Sequence, residues 1–269
     1  MRGRVLIVAG SDSGGGAGIQ ADVKSVTAMD AYAATAVTAL TAQDTEAVRA
    51  VHPVPLDFVR LQIHMSLADI GVDAIKTGML GDRATIEAVH DVLAAYARGI
   101  PLVADPVMVA KGGSRLLAED AVAAMRDRLL PLAALVTPNL PEAEVLCGFV
   151  IPDLDAMRRA AAALRGMGAA AALVKGGHME GDTLYDVLAW EGGEEVFASP
   201  RVETRHTHGT GCTLASAIAA GLAQGMGLRD AVARARDYVA AAIRGAPGYG
   251  RGHGPLNHAV TTDTSRVGW

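Results

Sequence analysis

The chain has 269 residues, of which 51% are hydrophobic and 20% charged, with a formal net charge of −5 and a pI near 5.9. That length suffices for one large α/β domain or two small ones. The acidic balance and the 4% aromatic content leave no electrostatic or stacking footprint for nucleic acid or an anionic membrane, so small molecules are the expected partners.

Two cysteines, Cys147 and Cys212, make neither a disulfide framework nor a zinc set, which points to a reducing cytoplasm. The apolar run Val5-Leu6-Ile7-Val8-Ala9 is too short for a signal segment and ends at Gly10-Ser11-Asp12. No stretch reaches membrane-spanning length. No linker or repeat divides the chain, so one domain is expected over residues 1–260, with a disordered tail over 261–269.

In chain order, short apolar runs predict strands over 5–9, 35–40, 74–76, 102–104, 133–136 and 171–174. Between them, helical spacing predicts helices over 17–29, 56–70, 83–97, 118–129 and 154–167. Such alternation implies a mostly parallel sheet covered on both faces. Alternation over 46–54 suits a strand projecting as a flap. The turn Glu191-Gly192-Gly193-Glu194 predicts a hairpin, hence an antiparallel late edge.

In such sheets ligands collect beyond the carboxyl ends of the strands. The residues there are Gly10-Ser11-Asp12-Ser13-Gly14, Gln43-Asp44, Thr77-Gly78-Met79, Asp105-Pro106-Val107, Thr137-Pro138-Asn139 and Lys175-Gly176-Gly177-His178. Ordinary turn chemistry accounts for the glycines and prolines. It accounts less well for Gln43, Asp105, Glu142 and Lys175, four different functional groups on one edge.

The segment His206-Thr207-His208-Gly209-Thr210-Gly211-Cys212-Thr213 runs into a helix of small residues. Unpaired amides and the positive dipole end at a helix start attract anions, and Gly209 and Gly211 let a phosphate approach the main chain. Cys212 would stand beside the transferring group, its thiol more easily ionised by the helix terminus. The competing reading is a glycine-rich helix start with an inert core cysteine.

Phosphoryl transfer needs cations over the phosphates, a metal, an anion cradle and a positioned hydroxyl. Lys175 suits the first task, though a lysine snorkelling at a strand end reads alike. Asn139 and Glu142 suit a hydrated magnesium ion, while the local sequence favours a helix capping box. Asp105, held between a buried strand and Pro106, needs a metal or a lysine partner. His178, His206 and His208 compete as acid–base groups. The sequence lacks G-x-x-x-x-G-K-[ST], G-x-G-x-x-G, H-E-x-x-H, C-x-x-C and G-x-S-x-G.

Taken together, the glycine loop from Ala9 to Asp22, Thr41-Ala42-Gln43, Lys76-Thr77-Gly78-Met79-Leu80, Asp105-Pro106-Val107-Met108, Asn139-Leu140-Pro141-Glu142, Lys175-Gly176-Gly177-His178 and His208-Gly209-Thr210-Gly211-Cys212 resemble the bacterial hydroxymethylpyrimidine kinase/phosphomethylpyrimidine kinase family of thiamine biosynthesis. The resemblance implies a ribokinase-like αβα sandwich. It also implies ATP- and Mg²⁺-dependent phosphorylation of 4-amino-5-hydroxymethyl-2-methylpyrimidine to the monophosphate and then the diphosphate, by a homodimer.

By the same resemblance, Gly10, Asp22, Gln43, Met79 and Val107 form the pyrimidine pocket, and Lys175, Asn139, Thr210 and Arg236 meet the nucleotide. Asp105 and Glu142 lie in the metal region, and Gly209, Thr210, Gly211, Cys212 and Lys175 serve catalysis. Other ribokinase-like enzymes usually carry aspartate where Cys212 stands, while some relatives use the same cysteine on pyridoxal, which makes a pyridoxal kinase the alternative. The closing segment Gly252-His253-Gly254-Pro255 is similar to that of the pyrimidine kinases. Two positions depart from the family: Arg236 replaces its lysine and Asp44 its asparagine. An oxidoreductase binding a dinucleotide at residues 14–18 and a catalytically silent pyrimidine-binding regulator are the readings from other classes.

Overall fold

In the computed structural model, which describes residues 1–108, 116, 118, 120–263 and 265, the first strand already dictates a sandwich. Strand β1 (Arg4–Ala9) is apolar on both sides. Leu6 and Val8 enter one core cluster, while Val5 and Ile7 enter the other. A strand with no polar face must be covered twice.

Eight strands form the central sheet in the order β10-β9-β8-β7-β6-β5-β1-β2. The parallel strands are β1, β2 (Tyr32–Val37), β5 (Ala74–Thr77), β6 (Leu102–Ala104), β7 (Leu135–Val136) and β8 (Ala172–Lys175). The antiparallel edge foreseen from the Glu191–Glu194 turn is present as β9 (Thr183–Trp190) and β10 (Gly193–Pro200).

One face is covered by α2 (Leu56–Met65), α3 (Arg83–Tyr96), α4 (Ala121–Ala124), α5 (Leu140–Cys147) and α6 (Leu154–Gly166). On the other lie α1 (Gly18–Ala28), α7 (Thr210–Ala223) and α8 (Leu228–Arg244). This is the α/β sandwich expected from the alternation.

Several boundaries differ from the sequence reading. The run 35–40 is not one strand. The chain leaves the sheet at Thr38, whose amide donates to Ala9 O and whose hydroxyl donates to Met79 O. It continues as β3 (Ala39–Gln43), which pairs only with β4 (Val48–Pro53). That two-stranded ribbon is the anticipated flap, with an irregular step between Ala42 and Gln43.

The helix expected over 56–70 is α-helical to Met65 and then π-helical over Ser66–Ile70. The one expected over 118–129 starts at Ala121, turns π-helical over Met125–Leu129 and tightens over Leu130–Leu132, which shortens the strand expected at 133–136. Residue 119 of that helix and residues 264 and 266–269 of the tail lie outside the described residues. Within the tail, the Thr261 hydroxyl donates to Ala28 O.

Candidate active site

One cavity of about 740 Å³ opens beyond the carboxyl ends of β1, β5, β6 and β8. Its wall includes Gly10, Gln43, Met79, Val107, Asp105, Asn139, Glu142, Lys175, Arg236 and the turn from Gly209 to Cys212. All the site residues inferred from the sequence except Asp22 therefore meet in one place.

The turn begins at Gly209, which caps α7 in the left-handed region with φ 82. A side chain there would also run into the carbonyl of Gly16, so two constraints select glycine. The Thr213 amide makes the first helical bond, to Gly209 O. Among the described residues no acceptor meets the N–H of Gly211 or Cys212, which leaves both free at the positive end of α7.

Gly211 is needed for close approach: a Cβ there would stand 3.1 Å from Lys175 Nζ and 3.6 Å from Asp105 Oδ2. Lys175 Nζ donates to Asp105 Oδ1 at 3.2 Å, and Thr137 Oγ1 donates to the same oxygen at 3.1 Å. Burial works to lower the Lys175 pKa, but Asp105 and Glu142 outweigh it and hold the ammonium above the ordinary lysine range. A permanent cation thus adjoins two free amides.

Asn139 and Glu142 form the capping box of α5: Glu142 N donates to Asn139 Oδ1 at 2.9 Å, and Asn139 N donates to Glu142 Oε2 at 2.8 Å. Capping and facing the cavity are compatible, because one carboxylate has several acceptor sites. Burial, the main influence, and Asp105 push the Glu142 carboxyl up to about 7, with Lys175 pulling the other way.

Among the described residues no group of three or more His, Cys, Asp or Glu makes a metal cage. Two carboxylates in one cavity, one of them raised by the other's charge, nevertheless fit Mg²⁺, which keeps its waters and takes one or two protein carboxylates beside substrate phosphates.

The other end of the turn meets the glycine loop. Asp12, buried at 1% exposure, accepts from the amides of Gly14, Gly16 and Ala17 at 2.8, 3.0 and 2.8 Å. Its Oδ2 lies 2.8 Å from His208 Nε2, which in turn lies 3.4 Å from Gln43 Nε2 on the flap. His208 is therefore held in place by a carboxylate. Of the other histidines, His178 lines the cavity and His206 does not. A closing strap completes this side: Gly252 N donates to Thr45 Oγ1 at 3.1 Å, His253 N to Thr45 O at 2.9 Å, and His208 N to Gly254 O at 3.2 Å.

Two expectations need correction. Asp22 does not line the cavity. It is wholly buried behind the wall, where its oxygens each take Lys76 Nζ at 2.9 Å and one takes Ser216 Oγ at 2.7 Å. Nor is the Cys212 thiol made acidic by its helix start. Desolvation, with Asp22 and Asp105, pushes it up to about 12, against the pull of Lys76 and of the Gly18 amide, which donates to the sulfur.

The two departures from the family are both neutralised. Asp44 caps the flap turn through the amides of Glu46 and Ala47 and pairs with Arg49 at 3.2 Å. Arg236 pairs with Asp186 at 2.8 Å and stacks on Phe197 at 5.0 Å.

Two residues without a role in the sequence reading thus emerge, Asp12 and Lys76. A signal existed for each: a carboxylate opening a glycine loop, and a lysine inside an apolar strand, which cannot be buried without a partner.

A family model described as phosphomethylpyrimidine kinase matches residues 12–257. The chain is 52% identical over 265 residues to the thiamine biosynthesis bifunctional protein ThiED of Geobacter sulfurreducens, covering 98% of this chain but spanning only about half, 54%, of that protein. It is 47% identical over 254 residues to the hydroxymethylpyrimidine/phosphomethylpyrimidine kinase of Streptomyces coelicolor, covering 94% of this chain and 93% of that one. Among solved structures, the pyridoxal kinase of Bacillus subtilis, an ADP complex, superposes with a TM-score of 0.89 at 35% identity and full coverage of both chains.

Proposed function

The chain belongs to the phosphomethylpyrimidine kinase family, and we propose that it transfers phosphoryl groups from ATP to 4-amino-5-hydroxymethyl-2-methylpyrimidine, then to its monophosphate, in thiamine biosynthesis. One observation carries this reading. The turn of residues 208–212 joins a ring-reading end, where His208 adjoins Gln43, to a phosphate-holding end, where Gly211 adjoins Lys175.

Gln43 offers a donor and an acceptor to the pyrimidine edge, and Met79, Val107 and Gly10 pack its faces. Lys175, with the free amides of Gly211 and Cys212, balances the charge of the moving group. Asn139, Thr210 and the nearby Arg236 serve the nucleotide, whose use is supported by the ADP-bound neighbour. Asp105 and Glu142 would hold Mg²⁺, which supplies charge neutralisation at the polyphosphate when bound.

The hydroxyl oxygen of the pyrimidine forms the new O–P bond as the β–γ bridge of ATP breaks, and ADP departs with the bonding pair. The hydroxyl proton passes to the Cys212 sulfur in its thiolate form, which becomes the thiol. Because the transition state is loose, that proton leaves late and asks little of the base, so a sparsely populated thiolate suffices.

The test is mass analysis of products after incubating pure protein with ATP, Mg²⁺ and hydroxymethylpyrimidine. Two added phosphates are expected, and none overturns the assignment.

The likeness to a pyridoxal kinase at TM-score 0.89 supports a second reading in which pyridoxal is the acceptor. The ratio of kcat/KM for the two alcohols decides between them. We place the reaction in the cytoplasm, where Cys147 and Cys212 stay free thiols. Among the described residues no helix is long and apolar enough to cross a membrane. The family resemblance supports a homodimer, and exposed apolar residues that could serve association occur on the flap, at Leu40 and Val51, and on α2, at Phe58, Leu61 and Met65.

A further inference from the structure

Among the described residues Lys76 is the largest wholly buried side chain, at 0% exposure, yet it lines the same cavity as Cys212. Two of its three N–H bonds are used by the two oxygens of Asp22. Among the described residues no acceptor meets the third. Asp22 is fixed from the far side by Ser216, which stands four positions, about one helical turn, beyond Cys212 on α7. One helix therefore carries both the cysteine and an anchor of the ion pair.

Stability does not explain an ammonium here. A buried pair costs about as much desolvation as its attraction returns, and well-packed apolar residues commonly serve as well or better.

The charged groups interacting with the sulfur come from four elements: Lys76 on β5, Asp22 on α1, Asp105 after β6 and Lys175 at the end of β8. Both lysines act on the sulfur, but Lys175 is hydrogen-bonded to Asp105 and shared with Glu142, whereas the hydrogen bonds of Lys76 go to Asp22.

We propose that Lys76 is a positioning residue for the transfer: its ammonium, fixed by Asp22 and Ser216, supplies the positive charge that lets the Cys212 sulfur exist as an anion while the hydroxyl proton moves. The inference rests on the phosphoryl-transfer reading given above and adds to it a residue that touches neither substrate. It also gives Asp22 a new place, as the counter-ion that limits how strongly Lys76 acts.

The test exploits opposite signs. In a Cys147→Ser background, which leaves one cysteine, the rate of Cys212 alkylation by iodoacetamide is followed from pH 7 to 10 without nucleotide or pyrimidine. Lys76→Met should slow alkylation about tenfold at a given pH, and Asp22→Asn should speed it about tenfold, because the thiolate is the reacting species. Packing damage moves both variants the same way, so parallel shifts, or none, overturn the proposal.

Should Lys76→Met fail the circular-dichroism check for folding, the direction of Asp22→Asn still decides. In turnover, the ascending limb of the kcat–pH profile for Lys76→Met should move to higher pH, and an unmoved limb overturns the link to catalysis. The alkylation experiment uses no substrate. Opposite shifts in a protein that forms no phosphorylated product would sink the kinase reading and leave the charge assignment standing.

Discussion

Asp12 does more for the site than any residue the sequence singled out. One carboxylate accepts three loop amides and meets His208, and so fixes the glycine loop against the turn that receives phosphate. Asp12→Asn keeps the shape but loses the charge behind those bonds. It should cost about 2 kcal/mol of stability, since hydrogen bonds to charged groups are each worth about 1.5–3 kcal/mol, and should raise KM for the pyrimidine. Urea unfolding with steady-state kinetics checks both, and an unchanged unfolding midpoint contradicts the role.

Cys212 calls for a different expectation. Its alanine variant should fold normally and lose about 10²–10⁴ in kcat, the range of a general base. Quenched-flow measurement of the transfer step reads this directly, and near-normal turnover removes the sulfur from the mechanism.

Among the elements, α5 shows how local chemistry and function share residues. Its capping box positions Asn139 and Glu142 at the cavity wall, so the two competing readings of that motif describe one arrangement. Asn139→Ala should therefore cost about 1 kcal/mol, as lost caps do, and weaken nucleotide binding together. Thermal unfolding and ADP titration test the pairing of effects, and loss of one without the other separates cap from site.

Most of the parallel strands were legible because they are short, mainly apolar runs, and the hairpin because its turn is rich in glycine. Helix α8 was not among the predicted elements: Ala231, Val232, Ala235, Tyr238, Val239 and Ala242 form its buried face at helical spacing, but many alanines blur that contrast. The break at Thr38 was not readable: it depends on the Ala9 and Met79 carbonyls, remote in sequence. Most of the site was visible as polar residues following strands. The exception, Asp22, lies inside a helix whose depth in the fold no local pattern reports.

For the whole molecule, acid is the expected weakness. His258, 6% exposed, shares a 3.0 Å hydrogen bond with the Thr213 hydroxyl. Burial first, then the charges of Lys24 and His208, push its pKa down from 6.5 to about 4. A depressed histidine favours the fold in its neutral form, so this stabilisation is complete above pH 6.5 and is lost as pH falls towards 4. At about 1.4 kcal/mol per pH unit, the loss is about 3 kcal/mol. Urea midpoints measured across that window should fall in the wild type and stay nearly level in His258→Gln, and equal slopes would refute the assignment.

The strap that joins Gly252 to Thr45 links residues 207 positions apart. A nascent polypeptide can lay down its parallel strands while still tethered to the ribosome, but the ring-reading corner must wait for residues 252–254 to emerge. Competence is thus delayed until that stretch has been made, and shorter fragments contribute no stray phosphorylation.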